Sequence, residues 1–199
     1  LDANLYINQN VEFQGLPFDT TKEKFIFSGG ALYKTLGDSE NKFYKIIEHI
    51  LVKHENIRFV YAGCGDDTEL KKLIDRFDER VIHLSERLDF YQIMEKCVFY
   101  LNTYPMFGGL MMRYAANAGK LPITLKHEND SDGILINQSD LGIEYDTYEE
   151  LINDVDRLLE DGNYLRDREK LLKGSVVSET CFVRNIRKLI EHKETEFTY

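Results

Sequence analysis

Residues 58–65, RFVYAGCG, decide the fold, because a run typical of a buried strand ends directly in a Gly-x-Gly turn. A helical pattern follows this turn. Its apolar side chains recur three and four positions apart, at Leu70, Leu73, Ile74 and Phe77. Apolar residues three and four positions apart lie on one face of a helix. A strand, a glycine turn and a helix in this order predict the start of a βαβ unit.

The same alternation continues along most of the chain. Short β-branched or aromatic runs predict buried strands at residues 25–28, 58–62, 81–84, 98–101 and 122–125, with a weaker one at 143–145. Helical periods lie between or after them, as at residues 43–51, 70–77, 151–159 and 182–192. Strands that alternate with helices form right-handed crossovers and a parallel sheet covered on both faces. We therefore predict an α/β, doubly wound, Rossmann-like parallel sheet of about six strands with trailing C-terminal helices.

The two ends of the chain differ from its middle. The first 21 residues hold one short apolar run and are predicted to be a linker and edge segment. Residues 22–175 form the predicted Rossmann-like domain, and residues 176–199 form a C-terminal helix. Glycines at 162 and 174 predict breaks in the helical region that follows residue 148.

Composition excludes several classes of protein. The 199 residues are 43% hydrophobic, which excludes a disordered chain. The net charge of −10 argues against a nucleic-acid partner, which needs a basic surface. Three widely spaced cysteines predict neither a disulfide framework nor a metal cluster, and Cys64 and Cys97 are expected to be reduced core residues. No apolar run approaches the roughly 20 residues of a membrane span, and no signal peptide is expected.

Candidate ligand-binding residues follow the first strand. In open α/β sheets, ligands bind where the strands end and where the helices begin. Gly29 and Gly30 allow a close approach of the backbone to a ligand, and Lys34 adds a mobile positive charge. A plain tight turn with a surface lysine explains the same residues equally well.

The segment after the fourth strand is the most informative. Gly108 and Gly109 begin a helix without a capping side chain, and Leu110 follows them. The free N–H groups and the helix dipole make this end a natural site for a diphosphate. Gly63 and Gly65 also follow a strand, but a compact turn with Asp67 or Thr68 as N-cap is the favoured interpretation there.

Other polar residues carry weaker signals. His127 follows the fifth strand and is a further candidate for ligand contact. Asp130 and Asp132 resemble the Asp-x-Asp of metal-dependent transferases but lie in a polar loop, so we predict no metal site. His49 and His54 are assigned to a polar helix face. The residues alone assign no catalytic group.

In order, these segments resemble the C-terminal, nucleotide-sugar donor-binding domain of GT-B glycosyltransferases. Five segments of this sequence carry the resemblance, in chain order. They resemble a glycine loop with a basic residue (25–34), a strand ending in Gly-x-Gly (59–66), a strand beside the nucleobase (80–85), a glycine turn with a helix and a Gly-x-Pro-like ending (104–122), and a last strand (141–146). The sequence of residues 104–110, YPMFGGL, most resembles enzymes of bacterial capsule and O-antigen polysaccharide synthesis.

This resemblance implies roles for further residues. Leu84 and Ser85 fall in the nucleobase region, Arg113 and Tyr114 fall where the ribose is held, and Tyr104 is a further candidate for donor contact. Many retaining members carry one carboxylate before the glycine turn and one in the helix behind it. Met106 and Tyr114 stand at those places here, so the usual sequence indication of retention or inversion is missing.

The resemblance also implies a function. The domain would bind a nucleoside diphosphate sugar, UDP- or GDP-linked, as substrate and without a cofactor, for transfer to a glycan or lipid-linked acceptor. It implies an N-terminal acceptor-binding domain outside these residues and a cytoplasmic enzyme, with peripheral membrane association open for the full protein. A sugar-nucleotide epimerase of the same fold and a non-catalytic flavodoxin-like module are the alternatives.

Overall fold

The computed structural model describes residues 11–126, 141–173, 176 and 179–194. These residues contain a six-stranded, all-parallel sheet in the order β3-β2-β1-β4-β5-β6. The strands are β1 Lys24–Gly29, β2 Ile57–Ala62, β3 Val81–Leu84, β4 Tyr100–Leu101, β5 Pro122–Leu125 and β6 Glu144–Tyr145. This is the classic dinucleotide-fold order and differs from the 2-1-3-4-5 order of flavodoxin-like proteins, so that alternative is not supported.

Besides two 3-10 helices, Leu32–Thr35 and Asp78–Arg80, seven α-helices have their bounds in the described residues. They are α1 Lys42–Lys53, α2 Thr68–Phe77, α3 Phe90–Met94, α4 Gly109–Asn117, α5 Tyr148–Glu160, α6 Gly162–Lys173 and α7 Glu179–Ile190. The chain moves from β1 to β2 in one direction along the sheet and from β4 to β5 in the other. Right-handed crossovers therefore put α1 and α4 on opposite faces. α1 packs with α2 and α5, and α3 packs with α4.

Aromatic side chains fill the centre of the sheet. Phe25, Phe27, Phe59 and Tyr61 are fully buried on β1 and β2, which explains why these short strands read as continuous apolar runs. The Phe43 ring of α1 meets Phe59 and Tyr61 edge-to-face at centroid distances of 6.5 and 6.3 Å. Edge-to-face packing suits the charge distribution of aromatic rings and fixes α1 on the sheet.

The predicted doubly wound sheet is confirmed, with small differences in extent. The fourth strand is shorter than residues 98–101, although Val98 N–H still donates to the Phe25 carbonyl at 2.8 Å. The helical break at Gly162 is confirmed, because α5 ends at Glu160 and α6 begins at Gly162. Gly174 lies outside the described residues. No helix in the described part of the chain combines the length and apolarity that crossing a bilayer requires.

Residues 11–23 form no strand, and side chains of the loop between β3 and α3 hold this segment at residues 14 and 15. Asp89 is fully buried, and its carboxylate accepts the Gln14 N–H at 2.8 Å. Arg87 forms an ion pair of 2.5 Å with Asp89 and donates to the Gly15 carbonyl at 2.9 Å. The division into segment, domain and C-terminal helix stays a prediction.

One expectation about the cysteines needs correction. Cys97 is buried as expected, but Cys64 is exposed because β2 ends at Ala62 and the following turn faces solvent. His49 and His54 have polar surroundings, and both rings reach a carboxylate on α5.

This carboxylate, Asp156, joins α1 to α5. It accepts from Lys53 Nζ at 2.8 Å and lies 2.8 Å from His54 Nε2 and 3.1 Å from His49 Nε2. Burial by itself would raise the pKa of Asp156, but the hydrogen bonds from Lys53, His54 and His49 outweigh it and hold the pKa below its ordinary value. The ionised carboxylate therefore stabilises the packing of the two helices.

Asp156→Asn is expected to lower the free energy of unfolding at pH 7 by about 1.5–3 kcal/mol, the usual contribution of hydrogen bonds to a charged group. Because the folded-state pKa is depressed, this stabilisation is complete above the unfolded pKa of about 4 and is lost as the pH falls through the folded value. Urea unfolding at pH 7 and pH 3 measures both effects.

The exposed Asp75 on α2 offers a matched control, Asp75→Asn, which should change stability by less than about 0.5 kcal/mol. An equal loss in both variants, or a difference that does not shrink at low pH, would contradict this account of Asp156.

Candidate functional site

The carboxyl ends of β1 and β4 lie side by side at the point where the chain reverses its direction along the sheet. β1 pairs with β2 on one side, and on the other side Phe27 pairs with Tyr100 of β4. The connection that leaves β1 goes to α1 on one face, and the connection that leaves β4 goes to α4 on the other. Connections that diverge in this way leave a crevice, which is the usual ligand site of such sheets.

The turn after β1 is held by hydrogen bonds to residues of β2 and β4. Gly30 N–H donates to the Ala62 carbonyl at 2.9 Å, and the Gly29 carbonyl accepts from the Tyr100 hydroxyl at 3.2 Å. Gly30 has a φ of +133°, and a Cβ there would meet no atom within 4 Å. Glycine is therefore needed at Gly30 for conformation, and its contribution to a site is open space rather than a free N–H.

The turn after β2 packs directly against the turn after β1. A Cβ on Gly63 would lie 1.9 Å from the Gly30 carbonyl oxygen, and one on Gly65 would lie 3.1 Å from Leu32 Cβ. The Cys64 carbonyl accepts from Leu32 N–H at 2.9 Å. Gly63 and Gly65 thus serve the contact between two loops, in agreement with the compact-turn interpretation.

The start of α2 shows which residue caps it. Asp67 occupies the N-cap position but makes no capping hydrogen bond with its side chain. The Asp66 carboxylate accepts instead from the Thr68 N–H at 3.0 Å and the Thr68 hydroxyl at 2.6 Å. These bonds hold the pKa of Asp66 below its ordinary value. This helix end is satisfied by the protein itself.

The start of α4 is different. Gly108 is the N-cap and no side chain caps the helix, so no capping side chain satisfies the first N–H groups at the positive end of its dipole. A Cβ on Gly108 would lie 2.7 Å from Asn102 Oδ1, an atom that is buried and has no hydrogen-bond partner among the described residues. An open helix end next to an orphaned acceptor is a place for a polar ligand.

Lys34 lies against the loop that leads into α4. Its carbonyl accepts from the Met106 N–H at 3.1 Å, which ties the loop after β1 to the loop after β4. Its side chain is half-buried, and the ion pairs of the described residues do not include it. The two loops predicted to hold a diphosphate are therefore neighbours.

The other predicted residues are more dispersed. Leu84 ends β3, two strands from β1, and Ser85 follows it. Arg113 and Tyr114 lie on α4, where the Tyr114 ring packs on Phe90 of α3 at 5.1 Å. Tyr104 has its ring 6.0 Å from Lys42 Nζ. The roles of these residues stay predictions.

Three predicted positions, His127, Asp130 and Asp132, lie outside the described residues. Within the described part, no cluster of three or more His, Cys, Asp or Glu side chains is arranged for a metal ion. Sequence reasoning missed Asn102, which is 1% exposed. A polar residue directly after a buried strand was the available signal for it.

Solved structures of other proteins have a fold similar to that of this chain. The chain is similar to WaaG, a glycosyltransferase of lipopolysaccharide biosynthesis, at 13% identity and a TM-score of 0.62, covering 77% of this chain and 42% of that one. It is similar to S. aureus TarM, solved with UDP, at 14% identity and a TM-score of 0.61, covering 82% and 34%.

A third similar structure is a putative UDP-N-acetylglucosamine 2-epimerase from Listeria monocytogenes. The identity is 14% and the TM-score 0.63, with 90% of this chain and 49% of that chain covered. No family model and no curated protein matches the sequence. The fold is thus the Rossmann-like domain of GT-B glycosyltransferases and of these epimerases, as predicted, and the chain spans less than half the length of the three.

Gly63→Ala should destabilise the fold by about 1–3 kcal/mol or more, because its methyl group overlaps a backbone oxygen that has no room to move. Gly162→Ala is the matched control, because a Cβ there meets only the end of the Arg166 side chain, at 3.5 Å. Thermal unfolding of the two variants measures the difference. Equal melting temperatures would show that the loops after β1 and β2 are not in contact.

Proposed function

We propose that this chain is the donor-binding domain of a glycosyltransferase that uses a UDP- or GDP-linked sugar. The observation that carries the proposal is the uncapped N-terminus of α4 next to the Lys34 loop at the switch point of the sheet. Such an end binds phosphate groups through free N–H groups and a positive dipole. The similar folds of WaaG and TarM, the latter solved with UDP, support the same ligand class.

In this proposal the site acts on the leaving group. When the bond between the sugar and the diphosphate breaks, negative charge develops on the diphosphate oxygens. Lys34 and the N–H groups of Gly109 and Leu110 stabilise that charge, and such fixed donors are worth most where charge appears in the transition state. Gly30 leaves open space for the diphosphate, whereas Gly29 and Gly108 let the backbone pack against the Ala62 carbonyl and the Asn102 side chain. No cofactor is needed for this step.

The nucleoside would extend from the diphosphate toward the neighbouring strands. Leu84 and Ser85 at the end of β3 are the proposed contacts of the base, and Arg113 of α4 is the proposed contact of the ribose. Tyr114 packs against α3, so its proposed role is to shape the ribose pocket. Met106, 48% exposed, stands where many retaining enzymes carry a carboxylate, so any acid-base group would come from outside this domain.

The acceptor and its domain belong to the same proposal. The chain covers 42% of WaaG and 34% of TarM, so a complete enzyme of that kind has a further domain. We propose that an N-terminal domain presents a hydroxyl of a glycan or lipid-linked acceptor to the donor. A cytoplasmic enzyme that meets lipid-linked acceptors at the inner membrane face fits this chemistry.

A sugar-nucleotide epimerase is the second candidate. One observation favours it. The match to the Listeria structure covers 90% of this chain, whereas the match to WaaG covers 77%. Incubation of the full-length protein with UDP-N-acetylglucosamine separates the two functions. An epimerase gives an isomeric sugar without an acceptor, whereas a transferase gives UDP only when a hydroxyl acceptor is present.

The central experiment is a thermal-shift panel of UDP, GDP, CDP, ADP and TDP with the corresponding monophosphates, each measured with and without EDTA. A ligand at about 100 times its Kd stabilises the folded state by about 2.7 kcal/mol. We expect UDP or GDP to raise the Tm and to exceed its monophosphate. If no diphosphate raises the Tm, the donor-site proposal is wrong.

Lys34→Ala should weaken UDP or GDP binding about tenfold to a hundredfold, because a charge-assisted hydrogen bond is worth about 1.5–3 kcal/mol. The Tm of the free protein should stay nearly unchanged, and uridine or guanosine should bind both proteins alike. Lys22→Ala, which removes an exposed lysine paired with Asp19, controls for net charge. Titration calorimetry measures the affinities. Equal losses in the two variants would reduce Lys34 to an ordinary surface charge.

A further inference from the structure

A cavity of about 500 Å³, here called the α6 cavity, lies at the amino ends of the strands, away from the proposed donor site at their carboxyl ends. α4 runs between the two regions, because it begins beside the crevice and ends at Asn117, and the next residue, Ala118, lines the cavity. Lys120 precedes β5, Glu95 follows α3, and the remaining wall is one face of α6. None of the roles proposed above uses this cavity.

The α6 cavity is positively charged in a protein that is strongly negative overall. Its lining has four cationic side chains and two carboxylates, which are Lys120, Arg166, Lys170 and Lys173, and Glu95 and Glu169. The cavity therefore has an excess of positive charge, whereas the whole chain has a net charge of −10. A concave surface with an excess of one sign concentrates its electric field, so this cavity attracts anions.

Three of the cations come from one face of α6. Arg166, Lys170 and Lys173 are four and three positions apart, which places them side by side on the helix. Like charges at these spacings repel each other and destabilise a helix slightly. Lys170 is paired with Asp167 at 3.0 Å, but this pair is well exposed and a ligand can replace it. An anion between these side chains would remove their repulsion.

The end of α4 does not require these cations. The carbonyl groups of residues 114–117 all accept hydrogen bonds, three from the N–H groups of residues 118–120 at 2.9 Å and that of Asn117 from the Tyr91 hydroxyl at 3.1 Å. Lysines near a helix end commonly bond to free carbonyl groups, but here the backbone and Tyr91 already do so. The negative end of the α4 dipole opposes an anion only weakly, because its effect falls off within the last turn.

Glu169 does not neutralise the cations around it. Its side chain is half-buried, and burial raises the pKa of its carboxyl group above the ordinary value, although the charges of Lys120, Lys173 and Arg166 act to lower it. The ion pairs formed among the described residues do not include Lys120 or Lys173. Two lysines from different elements thus remain available to a ligand.

We propose that the α6 cavity is a second anion site, which binds the phosphate group of a phosphorylated small molecule or of a phospholipid headgroup. Lys120 and Lys173 hold the phosphate oxygens from two elements, and the planar guanidinium group of Arg166 is suited to bond two oxygens at once. The volume is that of a small-molecule site and exceeds what inorganic phosphate needs. The site shares no residue with the crevice and does not depend on the proposed function.

The test adds inorganic phosphate, pyrophosphate and glycerol 3-phosphate separately to the protein and follows amide chemical shifts. The shifts separate the cavity, residues 118–120 and 166–173, from the crevice, residues 30–34 and 108–110. The variant is Lys120→Gln/Lys173→Gln. Lys22→Gln/Lys193→Gln is the matched control, because it removes two exposed lysines that pair with neighbouring carboxylates, Asp19 and Glu191.

We expect these probes to shift the cavity amides in the wild type and in the control. The variant should bind them at the cavity about tenfold more weakly, which is the lower limit for a charge-assisted hydrogen bond. The shifts in the wild type alone decide whether an anion enters the cavity, so the test does not depend on the folding of the variant.

Sedimentation with vesicles distinguishes the two sources of the phosphate group. The vesicles contain phosphatidylcholine alone or phosphatidylcholine with phosphatidylglycerol. If a lipid headgroup is the ligand, the wild type and the control should sediment with the anionic vesicles more than the variant does. If a soluble molecule is the ligand, the three proteins should sediment equally while the probes still bind at the cavity.

Two results would overturn the second anion site. One is that the probes shift only the amides of the crevice or none at all. The other is an equal loss of affinity in the variant and in the control, since this would show that only the net charge matters. Neither result bears on the donor-site proposal, because the binding of UDP and GDP is measured separately.

Discussion

The position of β1 between β2 and β4 is the constraint on which the rest of the structure depends. β1 lies in the middle of a sheet whose two faces are covered by helices, so it must be apolar on both faces, and Phe25, Ile26 and Phe27 are all fully buried. Connections then leave its carboxyl end and that of β4 toward opposite faces. The crevice, the approach of the Lys34 loop to Met106 and the open end of α4 all follow from this divergence.

The sequence carries the fold because its signals are local. A strand such as residues 58–62 is predicted from consecutive apolar side chains, and the glycine turn that follows it lies within the same eight residues, 58–65. The Asp156 cluster could not be predicted in this way, because its partners His54 and Lys53 are 102 and 103 residues away. The error at Cys64 has a different origin: cysteine is usually buried, but Cys64 lies in the turn after residue 62 and is exposed.

The candidate site could also be predicted only in part. The glycines and Lys34 stand out by residue type, yet only the structure shows that the Gly30 N–H is engaged with Ala62 and that the Gly108 end is open. Asn102 was missed because the sequence does not show that its side chain is buried or that its Oδ1 atom has no hydrogen-bond partner among the described residues. Function is a separate matter from fold, because transferases and an epimerase share this arrangement of strands.

The pairing order of the sheet also has a consequence for how the chain is made. β1 meets β2 after about thirty residues, but its other edge waits for Tyr100, which pairs with Phe27. At a synthesis rate of roughly 5–20 residues per second, that edge stays unpaired for several seconds on the ribosome. During this time an edge rich in phenylalanine is open to pairing with other chains. The nascent protein is therefore expected to depend on chaperones most strongly between the emergence of β1 and that of β4.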